Sequence, residues 1–379
     1  MKLLHTSDWH LGRLFHGVHL TEDQAHLLDQ IVEIARQEKP DAVLVAGDVY
    51  DRAVPPPDAV RLLDDVLSRL VLGLQVPVIV IAGHHDSPQR MGFGARLLSG
   101  ARLHVAGPVA AEVAPVVLAD RDGAVHVYPL PYADPAEVRG ALSDPALDTH
   151  QLAMQAQVQR IRARHPEGVR SVLVAHAFVA GGLESESERP LSIGGVDRVE
   201  RETLESFSYV ALGHLHRPQS ASARARYSGS LMKYSFAEAA GTRSVNLVQL
   251  DGAGACHVEA IELRPRRDVR MVRGTLAELL QGPRTDDYLE VTLTDRGPVL
   301  DAMGRLREVY PNVLHHRRAE LEAPAGGSAA RDHRRISTQD LFAAFFQDAT
   351  AAEMTGPEGE ALREVLERLA RAEREGGPP

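Results

Sequence analysis

The first hundred residues alternate between short apolar runs and longer segments whose apolar residues recur at helical spacing. Residues 3–6, 42–46 and 78–81 read LLHT, AVLVA and VIVI, and apolar runs of this length are typical of strands buried on both faces. One segment between them begins with Thr21-x-x-Gln24, which predicts a capping box at the start of an amphipathic helix. The order strand, helix, strand, helix, strand predicts a sheet whose first strands are parallel.

The later part of the chain predicts four successive regions. Residues 1–264 form the first, and near its end the predicted strands follow one another without helices, which indicates an antiparallel extension or a second packed sheet. Strand and helix patterns restart over residues 265–322, as expected for a small α+β unit. Residues 323–335 contain Pro, Gly and Ser and predict a flexible linker. Residues 336–379 predict two closing amphipathic helices.

Residue types that bind metals or carry protons follow the apolar runs at five places. Because the carboxyl ends of parallel strands meet at one edge of a sheet, where open α/β sheets bind ligands, we expect these side chains to lie together. Each alone has a simpler explanation, since an Asp after a strand often forms a turn and a His is often a surface or core residue. The five groups are Asp8 with His10; Asp48; His84 with His85 and Asp86; His176; and His214 with His216.

Mixed imidazole and carboxylate ligands indicate the kind of metal and the chemistry. They suit Mn, Fe, Zn or Ni better than Mg or Ca, which prefer shells of oxygen ligands. Seven or so ligands exceed the needs of one ion, so we predict two ions, with Asp48 as a candidate bridge. Two metals about 3.5–4 Å apart can clamp the attacking and leaving oxygens of a phosphoryl group. The predicted reaction is phosphoester hydrolysis, in which a nearby His that binds no metal could either stabilise the developing charge or protonate the leaving group.

Composition narrows the class of protein further. The 379 residues are 44% apolar and 25% charged, as in a globular protein of two or three domains. The net charge of −10 argues against a uniform coat of nucleic-acid-binding charge but permits a local basic surface. A single cysteine, Cys256, excludes an internal disulfide and is typical of a reducing cytoplasm. We expect no membrane span, and no nucleotide bound by this chain, because it lacks a phosphate-binding Gly-x-x-x-x-Gly-Lys-[Ser/Thr] loop.

The five motifs resemble those of calcineurin-like metallophosphoesterases. Longer stretches resemble the SbcD family of bacterial nuclease subunits more closely, namely LHTSDWHLG at 4–12, AGDVYD at 46–51 and ALGHLHR at 211–217. The resemblance covers nearly the whole chain. It implies an α/β fold: a two-sheet metallophosphoesterase sandwich flanked by helices, with a small α+β capping domain and C-terminal helices.

The resemblance also implies roles for individual residues. One ion would be held by Asp8, His10, Asp48 and His216, and the other by Asp48, residue 84, His176 and His214. His85 matches the catalytic histidine of the family, and Asp86 would orient it. One position departs from the family pattern, because the family has Asn where this chain has His84.

The function implied by the resemblance is that of a DNA nuclease using two Mn²⁺ ions. Such proteins degrade double-stranded ends and cut hairpins and single strands, as homodimers within a heterotetramer. Their partner is a coiled-coil ATPase of the SbcC type, and we predict that the C-terminal helices bind it through Phe342, Phe345 and Phe346. One alternative is a metallophosphoesterase for small phosphodiesters, which would not need the capping unit or the closing helices. Another is a scaffold whose second metal site has weakened, as His84 suggests.

Overall fold

The computed structural model describes residues 1–188, 198–295, 297, 299–319, 342–343, 346, 354–363 and 365. Met1–Ala319 form one compact unit and Glu320–Pro379 form another. The predicted linker at 323–335 and Phe345 lie outside the described residues, as does most of the segment after 335. Of that segment, residues 342–343, 346, 356–363 and 365 are helical.

The first large sheet has six strands and is parallel in the part that carries the first motifs. Its order is β16-β15-β1-β4-β5-β6; β1, β4, β5 and β6 are parallel, and β15 and β16 extend the sheet antiparallel. The strands are β1 (Lys2–Thr6), β4 (Ala42–Ala46), β5 (Val78–Ile81), β6 (Leu103–Ala106), β15 (Arg243–Leu250) and β16 (Cys256–Leu263). Helices on this side are α1 (Thr21–Glu38), α2 (Pro57–Ser68), α3 (Pro88–Met91) and α4 (Ala95–Leu98), and a small hairpin pairs β2 (Leu14–Phe15) with β3 (Val18–His19).

The second large sheet also has six strands, in the order β13-β14-β12-β9-β8-β7. Its central strands β14, β12, β9 and β8 are parallel. The strands are β7 (Val116–Asp120), β8 (Gly123–Leu130), β9 (Arg170–His176), β12 (Tyr209–Gly213), β13 (Gln219–Ser220) and β14 (Ala225–Tyr227). Helices α5 (Pro135–Leu142) and α6 (His150–Arg164) precede β9, and β10 (Phe178–Val179) pairs with β11 (Arg198–Val199). Both alternatives left open for the late strands are therefore present: β15 and β16 extend the first sheet antiparallel, and β14 belongs to this second sheet.

The two sheets stack face to face, and the alternation of side chains along each strand explains why. In β4, Leu44 belongs to an apolar core shared with Val172 and Val174 of β9, so this face is buried between the sheets. The intervening residues Val43 and Val45 point the other way, into a core that includes side chains of α1 and α2. Both faces of the strand are buried, as the uninterrupted apolar run predicted. The predicted two-sheet α/β sandwich is confirmed.

The small α+β unit predicted after residue 264 is built from two consecutive strand–helix–strand crossovers. Its three strands are all parallel, in the order β17-β18-β19. The elements are β17 (Val269–Gly274), α7 (Leu276–Leu280), β18 (Tyr288–Leu293), α8 (Ala302–Val309) and β19 (Val313–Arg318). Leu289 and Leu306 belong to its own apolar core, whereas Val269 and Tyr288 belong to the core of the first large sheet. The unit is thus continuous with the rest of Met1–Ala319.

The predicted capping box at the start of α1 is wrong. Thr21 is already helical, and Leu20 precedes the helix without a side-chain cap. Gln24 instead directs its amide toward the loop after β1, where it donates to the carbonyl oxygen of His10 at 2.8 Å and accepts from the backbone N–H of Gly12 at 3.2 Å. Gln24 therefore bonds to the loop after β1 and does not cap the first turn of its own helix.

Within the described part of the chain, no helix combines the length and the apolar character that a bilayer span requires.

Candidate metal centre

Loops after β1, β4 and β5 of the first sheet meet loops after β9 and β12 of the second. The approach is close enough to require glycine: a Cβ at Gly213 would overlap the carbonyl oxygen of Ala46, and one at Gly83 would overlap the backbone nitrogen of Asp48. The strand ends of the two sheets are therefore in direct contact, and all the predicted site residues lie along this junction.

The backbone at this junction is strained at several non-glycine positions. Asp8, His10, Asp48 and His214 have φ values of 52°, 47°, 50° and 109°, in a region that disfavours side chains with a Cβ. Residues with positive φ and a Cβ are retained only where the surrounding structure holds them, and they are concentrated at functional sites.

A first cluster contains Asp8, His10 and His216, each with a ligand-type atom within 4.8 Å of the others. The Nε2 atoms of His10 and His216 are 3.0 Å apart. The outward-facing Nδ1 of His10 lies 3.6 Å from Oδ1 of Asp51. All three cluster residues are buried.

A second cluster contains His84, His176 and His214. Nδ1 of His84 lies 3.0 Å from Nε2 of His176. His176 is oriented from behind, because its Nδ1 lies 2.9 Å from the carbonyl oxygen of Ala46 and must donate to it. In the neutral ring, Nε2 is thereby left as a lone-pair donor facing the cluster.

Asp48 lies between the two clusters. Its Oδ2 is 3.8 Å from Nε2 of His10, 3.2 Å from Nδ1 of His84 and 3.4 Å from Nε2 of His176. Its other oxygen accepts the backbone N–H of His85 at 2.9 Å. The carboxylate is thus held by one oxygen and faces both clusters with the other.

The donor set fits divalent cations. Among the described residues, the buried side-chain atoms without a hydrogen-bond partner include Oδ2 of Asp48, which faces both clusters, and Nδ1 of His214 of the second cluster. Buried polar atoms are rarely left in this state. Two adjoining groups of His and Asp donors, joined by Asp48, suit two metal ions.

Burial and neighbouring charges set the protonation of this centre. Burial raises the pKa of Asp8 to about 8, although the charge of His176 opposes it. Burial alone would also raise the pKa of Asp48, but His176 and His84 hold it well below its ordinary range. Burial likewise opposes protonation of His176, but Asp48 outweighs it and raises the pKa of His176 to about 9. Burial lowers the pKa of His84 to about 3. A proton on His176 therefore balances Asp48, which is a role that a bound cation can take over.

His85 lies beside both clusters, with its ring centroid 4.7 Å from that of His10 and 4.4 Å from that of His84. Its Nδ1 lies 2.7 Å from the carbonyl oxygen of Asp51 and donates to it. Asp86, predicted to orient His85, accepts the backbone N–H groups of Gly83, Val49 and Tyr50 at 2.8, 3.1 and 2.9 Å. It therefore ties the loop after β5 to the loop after β4.

Three further residues support the centre and were not identified from the sequence. Gln24 holds the loop that carries His10, Asp51 lies behind His10 and His85, and Glu238 lies 3.9 Å behind Nδ1 of His216. Asp51 stands within the AGDVYD stretch, which was a usable signal. Gln24 and Glu238 had no sequence signal, because each supports the centre through a tertiary contact that no local pattern encodes.

Comparisons with known proteins place this architecture in a family. The calcineurin-like phosphoesterase family matches residues 1–218. The SbcD C-terminal domain family, described as "Type 5 capsule protein repressor C-terminal domain", matches residues 265–350. The crystal structure of TT1561 from Thermus thermophilus is 14% identical and covers 68% of this chain and 98% of its own, with a TM-score of 0.38. A dimetal phosphatase from Danio rerio is 14% identical and covers 69% of this chain and 96% of its own, with a TM-score of 0.41.

Proposed function

Since this chain belongs to the calcineurin-like phosphoesterase family, we propose that it is the Mn²⁺-dependent DNA nuclease subunit of an SbcCD-type complex in DNA repair and recombination. It would act as an exonuclease on double-stranded ends and as an endonuclease on single strands and hairpins. The observation that carries this proposal is the combination, in one chain, of two His/Asp clusters with a C-terminal region similar to the SbcD C-terminal domain.

The proposal assigns a role to each part of the chain. Residues 1–264 are the nuclease domain, 265–322 the capping domain and 323–335 a linker, and 336–379 bind the ATPase.

The proposed metal ligands follow the two clusters. Asp8, His10, Asp48 and His216 would hold one ion, and Asp48, His84, His176 and His214 would hold the other. When bound, two such ions supply Lewis acidity that polarises a phosphoryl group and activates water for attack. We propose Mn²⁺ because mixed imidazole and carboxylate donors suit it better than they suit Mg²⁺ or Ca²⁺.

His85 is the proposed acid for the leaving oxygen. Its Nδ1–H is engaged by the carbonyl of Asp51, so its Nε2 is the atom available to carry a proton to substrate. The ring lines a cleft of about 490 Å³ together with Arg13, Arg52 and Tyr234. The two guanidinium groups give this cleft donors that suit phosphate oxygens. Asp86 supports His85 indirectly, by holding the loop on which it stands.

The decisive test is cleavage of linear and hairpin DNA by the purified full-length chain with Mn²⁺, with chelator, and with Asp48→Ala. Because Asp48 faces both clusters, we expect its loss to remove metal and lower cleavage by about 10²-fold or more. Asp65→Ala is the matched control, since Asp65 is an exposed carboxylate on α2 that pairs only with Arg69 among the described residues.

Two results would contradict the proposal. Cleavage and metal stoichiometry that survive Asp48→Ala would remove the two-metal assignment. Hydrolysis of bis(p-nitrophenyl) phosphate without any cleavage of DNA, with or without the ATPase, would favour the small-phosphodiester alternative.

The proposed partner is a coiled-coil ATPase of the SbcC type. The region similar to the SbcD C-terminal domain reaches residue 350 and includes Phe342, which is exposed in the described structure. Truncation after Arg335 should abolish binding to the ATPase but leave Mn²⁺-dependent cleavage by the remaining chain, since Met1–Ala319 form their own compact unit. A complex that survives truncation would exclude these helices as the binding element.

The proposed homodimer is supported by exposed apolar side chains near α2 and α4. Phe93 and Leu97 are each 85% exposed, and the nearby Val60 and Leu98 line one apolar pocket. Exposed apolar groups of this kind often mark protein interfaces. Leu97→Glu should convert a dimer to a monomer in sedimentation experiments. Leu300→Glu is the control, because Leu300 is 90% exposed but lies in the capping unit.

A further inference from the structure

The ring of His216 is held from behind by a buried polar group that no motif includes. On one side, Nε2 faces Nε2 of His10 at 3.0 Å, within the first cluster. On the other side, Nδ1 lies 2.5 Å from Oγ of Ser187 and 3.9 Å from Oε1 of Glu238. Ser187, His216 and Glu238 are all buried.

The chemistry of these groups fixes the direction of the hydrogen bonds. An ionised carboxylate only accepts, and a serine hydroxyl has one proton to donate. The Ser187 hydroxyl donates that proton to Oε1 of Glu238. Toward His216, the Ser187 oxygen can then only accept, so Nδ1 of His216 must carry the proton. Nε2 is left with a bare lone pair directed at Asp8 and His10.

Several donors keep Glu238 ionised and in place. Its Oε2 pairs with the buried guanidinium of Arg243 and accepts the backbone N–H of Tyr234 at 3.1 Å. Its Oε1 accepts from the hydroxyls of Ser185 and Ser235 at 3.0 and 3.1 Å. A carboxylate with this many donors cannot rotate away from Ser187 without leaving them unsatisfied.

We propose that Glu238 is a positioning residue: acting through the Ser187 hydroxyl, it fixes His216 in the Nδ1–H tautomer and so presents Nε2 to a metal ion held by Asp8 and His10. The inference rests on the proposed function only in requiring that a metal binds there. Partners behind metal-binding histidines typically change metal affinity by about 10- to 100-fold.

The test is Glu238→Gln in the full-length chain. A glutamine amide can donate as well as accept, so the Ser187 hydroxyl is free to turn and donate to His216. Long-range ¹H–¹⁵N spectra of the metal-free protein should show His216 shifting from the Nδ1–H toward the Nε2–H tautomer. Calorimetric titration with Mn²⁺ should show one binding step weakened by about 10- to 100-fold. This should be the step that His216→Ala abolishes, and the other step should not change.

Three further variants make the test specific. Ser187→Ala removes the relay itself and should weaken the same step, and Glu238→Asp should restore part of the affinity. Ser235→Ala is the matched control, because Ser235 donates to the same oxygen of Glu238 but has no hydrogen bond to Ser187 or His216 among the described residues, and the other donors still hold Glu238. It should leave the tautomer and both affinities unchanged.

The proposal is overturned if His216 keeps its Nδ1 proton and both Mn²⁺ affinities are unchanged in Glu238→Gln and Ser187→Ala. It is also overturned if both binding steps weaken together, since that indicates general loss of structure. If Glu238→Gln does not fold, Ser187→Ala decides alone. Neither the tautomer nor Mn²⁺ binding requires DNA cleavage, so a failure of the proposed nuclease activity is distinguishable from a failure here.

Discussion

Asp86 provides the sharpest test of how the centre is held together. Its two oxygens accept three backbone N–H groups, two at Oδ2 from Gly83 and Val49 and one at Oδ1 from Tyr50. These bonds join the loop that carries His84 and His85 to the loop that carries Asp48. The role that follows from the geometry is structural positioning rather than proton transfer.

The three hydrogen bonds that Asp86 accepts set the expected loss of stability when it is replaced. A hydrogen bond to a charged group contributes about 1.5–3 kcal/mol. Burial, followed by the charge of Asp48, raises the pKa of Asp86 to about 7, so the charge is only partly retained near neutral pH and the lower end of that range applies. Asp86→Asn can keep the two bonds at Oδ2 but turns its NH₂ group toward the N–H of Tyr50. We expect the free energy of unfolding to fall by about 2 kcal/mol in Asp86→Asn and by about 4 kcal/mol in Asp86→Ala.

Urea unfolding of the metal-free chain measures this loss, and Mn²⁺ titration should show both binding steps weakened, because loops of both clusters move. Asp251→Asn is the control: Asp251 also accepts two backbone N–H groups, from Ala253 and Ala255, but in an exposed loop. Replacing Asp251 by Asn should lower the free energy of unfolding by less than about 1 kcal/mol. An Asp86→Ala protein with parental stability and parental metal affinity would refute the reasoning.

Three further predictions address single histidines. His85→Gln should leave metal content intact and lower DNA cleavage by about 10²-fold; loss of metal would instead make His85 a ligand. His84→Asn should raise both second-site metal affinity and cleavage, because the imidazole is crowded against His85 and His214; no change or a fall in both would make His84 a competent ligand. Burial lowers the pKa of His5 to about 3, so the unfolded chain takes up a proton below about pH 6.5 that the folded chain refuses. The free energy of unfolding should therefore fall as the pH is lowered from about 6 to about 4. Urea unfolding of His5→Gln should show that the slope of this free energy against pH is reduced by up to about 1.4 kcal/mol per pH unit. An unchanged slope would exclude His5 as the cause.

The sequence by itself determined the strands and the residue types at their ends. Short apolar runs such as 42–46 and 78–81 encode strands buried on both faces, because the faces of a strand alternate with a period of two residues. Glycine followed by His or Asp marks where such a strand stops. This information is local, so the strands of the first sheet and the grouping of Asp8 and Asp48 at its edge were predictable from the residues alone. The approach of His176 from a second sheet was not, and the two-sheet fold came only from the family resemblance.

Only the tertiary structure decided which atoms meet and what stands behind them. His10 and His216 are 206 positions apart, yet their Nε2 atoms lie 3.0 Å from each other. The capping-box prediction at Thr21 failed because the Gln24 amide is bonded to the loop that carries His10 and Gly12. Glu238 belongs to no motif. Periodicity specifies which face of an element is buried, but not which side chain from another sheet packs against it. The partners of buried polar atoms are chosen by the packing of the two sheets, and that choice determines the orientation and the protonation of the proposed ligands.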